Sequence, residues 1–264
     1  MNYNWFMTSV ALFLNGDLGK KILRRILAHP DMDLKVVILN STAKRTKSYE
    51  DEILEIRASL NSYFIIESLN ENLEFNETLL SNLAECDFAI SALFGHIIPN
   101  DVIRLFESRI INLHPSFLPF GKGSDPIPWG ILSDNKQGAT IHTVTKELDS
   151  GLILSQEEIE ANIGMNAGHV YELCIDSLLS QFEEVLMQLT EESLELKPQE
   201  SNTNKPRKST ELEKLRTIVA DEYCNFDGFV RRLQALTYSD GRKPRFEDKQ
   251  GNIWLIDFRL SRSE

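Results

Sequence analysis

The stretch Val10-Ala-Leu-Phe-Leu14, followed by Asn15-Gly16-Asp17 and then by Leu18 to Leu27, decides the fold. Five consecutive apolar residues suit a strand buried on both faces of a parallel sheet. Beyond the turn, Leu18, Ile22, Leu23, Ile26 and Leu27 recur at helical spacing with Lys and Arg between them, until His29-Pro30 ends the run. A strand, a glycine turn and an amphipathic helix make half of a strand–helix–strand unit. Asp17 is expected to cap the helix. The segment Gly16-Asp-Leu-Gly-Lys20 has neither the G-x-x-x-x-G-K-[ST] nor the G-x-G-x-x-G spacing of a phosphate loop, so it reads as a turn. It still lies at the carboxyl edge of a strand, where ligands gather, and Asn15 is kept as a candidate substrate contact.

Working outward, the same alternation repeats. Leu34–Leu39 reads as a strand, a basic loop carries Lys44, Arg45 and Lys47, Asp51–Leu60 reads as helix and Tyr63–Ile66 as extended. Leu79–Ala84 ends a helix before the strand Phe88–Leu93, and Val102–Phe106 precedes the strand Ile110–Leu113. Strands spaced by helices predict an α/β fold, a Rossmann-like, mostly parallel sheet with helices on both faces. After residue 113 a Pro/Gly-rich stretch, Pro115 to Gly130, leads to two β-like runs, Ala139–Val144 and Leu152–Ile159, expected as a hairpin-like excursion. Asn166–Thr190 shows the apolar stripe of a long helix closing the domain. Glu191–Lys208 is polar and reads as a linker. Thr210 and Glu213 have capping-box spacing, Phe226–Leu236 reads as helix, and Arg245–Glu247 and Ile253–Phe258 as short strands. The expected organisation is a catalytic domain over 1–190, a linker over 191–208 and a small C-terminal α+β appendage over 209–264. An appendage of that size is marginal alone and should rest on the body.

The 264 residues are 42% hydrophobic and 26% charged, which excludes a disordered or collagen-like chain. Residues 1–204 hold 15 Lys+Arg against 30 Asp+Glu, and 205–264 hold 13 against 10, giving the net charge of −12. An acidic body repels a phosphate backbone, so no nucleic-acid partner is expected, whereas a small anion needs only one or two cations. No run approaches the roughly 20 apolar residues of a membrane span, and the first ten residues lack a signal peptide's basic start. A cytoplasmic protein with no membrane partner is expected. Cys86, Cys174 and Cys224 are odd in number and far apart, so they suggest neither a disulfide framework nor a metal site.

Chemistry concentrates in Ile111-Asn-Leu-His-Pro-Ser-Phe-Leu-Pro119, then Gly138-Ala-Thr-Ile-His142, then Glu147-Leu-Asp149-Ser-Gly151. Asn112 and His114, two apart on a strand, point to the same side at its carboxyl end. A core histidine satisfied by Asn112 is one account of that pair. With Asp149 near two glycine-rich turns, an amide donor, a titratable imidazole and a carboxylate can instead converge.

At these residues the sequence resembles the folate-dependent formyltransferases, most of all those acting on nucleotide sugars. The matching signature is N-x-H-P-S-x-L-P over Asn112–Pro119, G-x-T-I-H over Gly138–His142 and D-x-G-x-I over Asp149–Ile153, with 34 residues between His114 and Asp149. The resemblance spans about residues 8–190. It implies 10-formyltetrahydrofolate as formyl donor and a primary amine as acceptor. On its terms Asn112 donates to an oxyanion, His114 handles the proton or shares that stabilisation, and Asp149 sets the imidazole's tautomer and charge. Phe94, Gly95, His96, Ile97 and Ile98, with Thr145, Lys146, Glu147 and Leu148, would receive the pterin. His142 is expected to be structural, and His29 and His169 superficial. On the acceptor side the resemblance points to Lys122 for a phosphate and Trp129 for a base or sugar; a solvated lysine and a tryptophan anchoring the next helix are the plain alternative. The short tail and acidic charge favour a dTDP- or GDP-linked amino-deoxy sugar of a surface polysaccharide over methionyl-tRNA, whose enzymes carry a larger tail. Formyl-folate hydrolases resemble fusions with an N-terminal regulatory domain, which is not expected here, and a non-enzymatic α/β module would not need all three polar residues. A homodimer is expected.

Overall fold

The computed structural model describes residues 7–40, 46–59, 63–69, 73–107, 109–190, 193, 195–200, 205–219, 225–239 and 241–260. Strand β1 (Thr8–Leu14) is buried from Ser9 to Leu14 because it pairs in parallel with β2 (Met32–Asn40) on one side and β4 (Phe88–Ala92) on the other. Its side chains alternate between two cores. Val10, Leu12 and Leu14 meet Leu18, Ile22 and Ile26 of α1 (Gly16–Ala28), while Ala11 and Phe13 meet Val36, Ile38, Leu79 and Phe106 on the other face. Covering both faces turns an uninterrupted apolar run into a central strand. Asp17 does not cap α1. Asn15 holds the N-cap position without a side-chain cap bond, and Asp17 lies in the first turn, where Lys20 Nζ pairs with it at 2.7 Å.

The main sheet has the order β3-β2-β1-β4-β5-β6-β7, with β3 (Ile65–Leu69), β5 (Ile110–His114), β6 (Gln137–Thr143) and β7 (Ile153–Ile159). Strands β1 to β5 are parallel, and β6 and β7 extend the same sheet antiparallel. The expected hairpin-like excursion is thus the continuation of the sheet. Alternation told of two strands but not of what they pair with, and every residue of β6 is buried because α6 (Ala167–Thr190) covers it. Between β1 and β2 and the returning β4 the winding reverses, the place where open α/β sheets collect ligands. Helices α2 (Thr46–Ser59), α3 (Glu77–Ala84) and α4 (Asn100–Leu105) complete the crossovers. The extended segment expected at Tyr63–Ile66 becomes β3 a few residues later. The Pro/Gly-rich stretch contains a short helix, α5 (Pro126–Ser133), with Pro in its first turn, where a missing N–H costs nothing.

In the tail, α7 (Ser209–Leu215) begins one residue before Thr210. Glu211, not Glu213, reaches back to accept from the Lys208 N–H at 3.2 Å. Strands β8 (Thr217–Val219), β9 (Arg245–Glu247) and β10 (Ile253–Leu255) form a second sheet, β8 and β9 parallel and β10 antiparallel. Between them α8 (Phe226–Leu236) lies on α5 and α6. Arg231 pairs with Asp134 at 2.7 Å, Gln234 Nε2 donates to Met165 O at 3.2 Å, and Tyr238 joins Ile127, Val170 and Cys174 in a third apolar cluster. Cys86 and Cys174 are buried free thiols; Cys224 and the basic residues Lys44 and Arg45 lie outside the described residues, as does the side chain of Lys47. Among the described residues no helix is long and apolar enough to cross a membrane.

Candidate active site

The register of β5 assembles the site. Asn112 stands opposite Ser91 of β4 and His142 of β6, and His114 opposite Thr140. Directly opposed residues of an antiparallel pair share a face, so Asn112 and His142 touch: Asn112 Nδ2 lies 3.2 Å from His142 Nε2. His142 Nδ1 is 2.9 Å from Thr143 O, and because a carbonyl only accepts, Nδ1 carries the proton and Nε2 offers its lone pair to the Asn112 amide. The ring is 1% exposed. Burial is the main reason its pKa falls to about 4, with His114 adding to the depression and Asp149 opposing it, so the imidazole is neutral at neutral pH.

Asp149 adopts a left-handed backbone, φ 49°, a conformation that aspartate tolerates better than most residues. Its Oδ2 accepts from the Gly123 N–H at 2.8 Å, and Oδ1 lies 3.7 Å from His142 Nε2. His114 Nε2 donates to Gly121 O at 2.7 Å, which leaves Nδ1 as its proton-accepting atom, and its ring meets that of His142 edge to face at 5.9 Å. The expected arrangement is therefore altered. The carboxylate stands against His142, and the Gly121 carbonyl sets the tautomer of His114. Ligand-type atoms of His114, His142 and Asp149 all lie within 4.8 Å of one another, a grouping able to attract a cation, and each of the three side chains also holds a hydrogen bond within the protein.

These groups open on a cleft of about 710 Å³, in the range of small-molecule sites. Phe94, Gly95, His96, Ile97 and Ile98 line it after β4, and Thr145, Lys146 and Leu148 after β6, as the sequence suggested; Glu147 does not line it. Asn15, Lys122 and Trp129 are also outside the lining. Asn15 gives its N–H to Ala92 O, Lys122 Nζ donates to Ser150 Oγ at 2.8 Å, and the Trp129 ring lies 4.6 Å beneath the Arg207 guanidinium. Of the three side chains only Lys122 is held by a hydrogen bond, and half-buried against Ser150 it is not a solvated lysine. The Asn15 side chain makes no cap bond, and the buried Trp129 Nε1, inside α5, has no hydrogen-bond partner among the described residues.

Sequence reasoning passed over two contributors. One is His142, which joins the site through strand register. The other is the segment read as a linker, whose Pro206, Arg207 and Lys208, with Ser209 and Thr210, form one wall of the cleft. It is a strap tied to the body. Lys197 exchanges two backbone hydrogen bonds with Ile153, and Gln199 Nε2 donates to Asp149 O at 3.0 Å and Gly151 O at 2.8 Å. Arg207 N–H donates to Lys122 O, and Ser124 N–H to Arg207 O. Gly123, φ 91°, permits this approach: a Cβ there would lie 2.6 Å from Arg207 N and closer still to its O.

A winding reversal, a cleft at the carboxyl ends of β4 and β5, and an Asn–His–Asp group inside it define the class. The formyl transferase family model matches residues 15–186, and the chain belongs to that family. It is 32% identical over 143 residues to the dTDP-4-amino-4,6-dideoxyglucose formyltransferase of Mycobacterium tuberculosis, an alignment covering 54% of this chain and 61% of that relative. A crystal structure of a 4-N formyltransferase from Francisella tularensis superposes with a TM-score of 0.80 at 20% identity, covering 98% of this chain and 100% of that one, so the likeness of fold extends through the tail. A formyltransferase of Anoxybacillus kamchatkensis, solved with UDP-4,6-dideoxy-4-formamido-L-AltNAc and tetrahydrofolate, matches with a TM-score of 0.53 at 26% identity over 76% of this chain and 98% of that one.

Proposed function

We propose that this protein transfers the formyl group of 10-formyltetrahydrofolate to the primary amine of a nucleotide-linked amino-deoxy sugar. The observation that carries the reading is the convergence of Asn112, His114 and Asp149 in the cleft of a chain whose relatives include enzymes named for formyl transfer to an amino sugar, beside others named for methionyl-tRNA. The cleft suits a folate. Phe94, Ile98 and Val144 give a flat ring an apolar wall, and the large side chains of Ile97 and Leu148 stand exposed at it. Phe94 to Ile98, with Thr145, Lys146 and Leu148, would hold the ring, and the bound donor supplies a formyl group on nitrogen.

The acceptor nitrogen forms a bond to the formyl carbon and loses a proton, while the bond from that carbon to the folate nitrogen breaks and the folate nitrogen gains a proton. Asn112 Nδ2 donates to the formyl oxygen as negative charge develops there. His114, its Nε2–H engaged by Gly121 O, takes the amine's proton on Nδ1. Asp149 supplies the negative charge that favours the resulting imidazolium. The Arg207 and Lys208 side of the strap offers positive charge to a nucleotide diphosphate.

A role in building O-antigen or other surface polysaccharide follows from such a product, and a homodimer fits the row Ile253, Trp254 and Leu255, all more than half exposed on β10. Methionyl-tRNA is the second acceptor to consider, and the chain's charge of −12 opposes it. The test offers a panel of dTDP-, GDP- and UDP-linked amino sugars and initiator methionyl-tRNA with 10-formyltetrahydrofolate, read by mass spectrometry. A formamido sugar is the expected product; formylated tRNA with unchanged sugars would reverse the choice.

A further inference from the structure

We propose that His142 is a positioning residue for formyl transfer: its Nε2 lone pair, aimed by the Nδ1–H anchor on Thr143 O, locks the Asn112 carboxamide with Nδ2 forward as donor. The inference rests on the reading of the cleft given above and explains why a second histidine is buried beside the reacting groups.

A carboxamide is almost symmetrical in shape, and turning it over exchanges a donor for an acceptor. At Asn112 that exchange decides function, because only Nδ2 can meet a developing oxyanion, whereas Oδ1 would repel it. The register fixes Asn112 opposite His142, and Nδ2 to Nε2 is 3.2 Å. Turned over, Oδ1 would face the lone pair of Nε2, with the Asp149 carboxylate 3.7 Å from that same nitrogen. Acceptor would then meet acceptor inside a buried site, where unpaired polar groups are costly. One N–H of Nδ2 is spent on His142; the second remains for the formyl oxygen. The ring cannot turn to offer a proton instead, since its Nδ1–H is held at 2.9 Å by the Thr143 carbonyl. The charged and titratable groups around it, Asp149 on its loop, His114 on β5 and Lys122 beyond, leave the ring neutral, and a neutral ring is what the acceptor role requires.

The test combines kinetics with a spectroscopic measurement on the full chain. His142→Leu removes the acceptor and should lower kcat on the order of 10²-fold, the scale of one lost oxyanion donor, with KM for both substrates changed less than about threefold. His142→Gln restores an acceptor oxygen and should recover at least about tenfold of that loss. In an Asn112→Ala background His142→Leu should cost almost nothing more, because the two act as one device. Equal losses in both backgrounds, or a normal kcat in His142→Leu while Asn112→Ala is slow, overturn this inference and leave the functional reading standing. Normal turnover in Asn112→Ala overturns both. Apart from turnover, 15N imidazole spectra of the unliganded protein should show the Nδ1–H tautomer at His142; an Nε2–H tautomer refutes the lock even if His142→Leu fails to fold.

Discussion

Asn112 and His114 were readable from the sequence because their geometry is local: two residues apart on one strand, they must share a face. Asp149 stood out beside two glycine-rich turns and the resemblance supplied its role, but the partner it finds did not follow from either. Its carboxylate stands 3.7 Å from His142 and bonds the Gly123 N–H, while His114 bonds Gly121 O. Each of these contacts depends on pairing between distant segments, which side-chain types alone do not encode. Asp149→Asn tests the charge. The amide oxygen can still accept from Gly123, so the fold should survive, and turnover should fall by roughly 10³ or more, as when a catalytic carboxylate is neutralised. Near-normal transfer with a lowered melting temperature would make Asp149 a structural residue. The depressed His142 titration predicts a second effect. The unfolded chain binds a proton at the ordinary value of 6.5 that the folded chain refuses until about 4, so stability should decline as pH falls from about 6.5 towards 4. Urea midpoints across that range should show the decline in the wild-type protein and less of it in His142→Gln.

At the scale of elements, the central strand and its helix were legible because burial on both faces leaves an uninterrupted apolar run, and α6 because its stripe is long. The strap was not. Its polar composition suggested a linker, yet its attachment at Lys197 and Arg207 is made by backbone groups, which every residue carries alike. Helix α5 was hidden by its prolines, which break helices inside but suit a first turn. Gly123→Ala tests the strap. A Cβ there runs into the Arg207 backbone, and the left-handed φ of 91° adds strain, so the strap must lift from the cleft wall. Destabilisation of about 1–3 kcal/mol is expected, with a raised KM for the sugar nucleotide and little change in folate binding. An unchanged KM would mean that the strap does not touch the acceptor.

Across the whole molecule, the sequence placed a marginal tail against the body, and α8 does lie on α5 and α6 through Arg231, Gln234 and Tyr238. The pairing of β8 with β9 escaped notice because three-residue strands carry almost no periodicity. Removing residues 209–264 would uncover Ile127 and Val170 and take away part of the cleft wall. The truncated chain should therefore lose stability and sugar transfer together, and a truncated chain of full stability would contradict that docking. The central claim is that the cleft moves a formyl group to an amine. Its most direct measurement follows tetrahydrofolate release and formamide formation in one reaction, with and without amino sugar, for the wild-type protein and Asn112→Ala. The account predicts equal amounts of the two products, release only when the amine is present, and a rate lower on the order of 10²–10³-fold in the variant. Release of tetrahydrofolate without amine, or a variant as fast as the wild type, would contradict it.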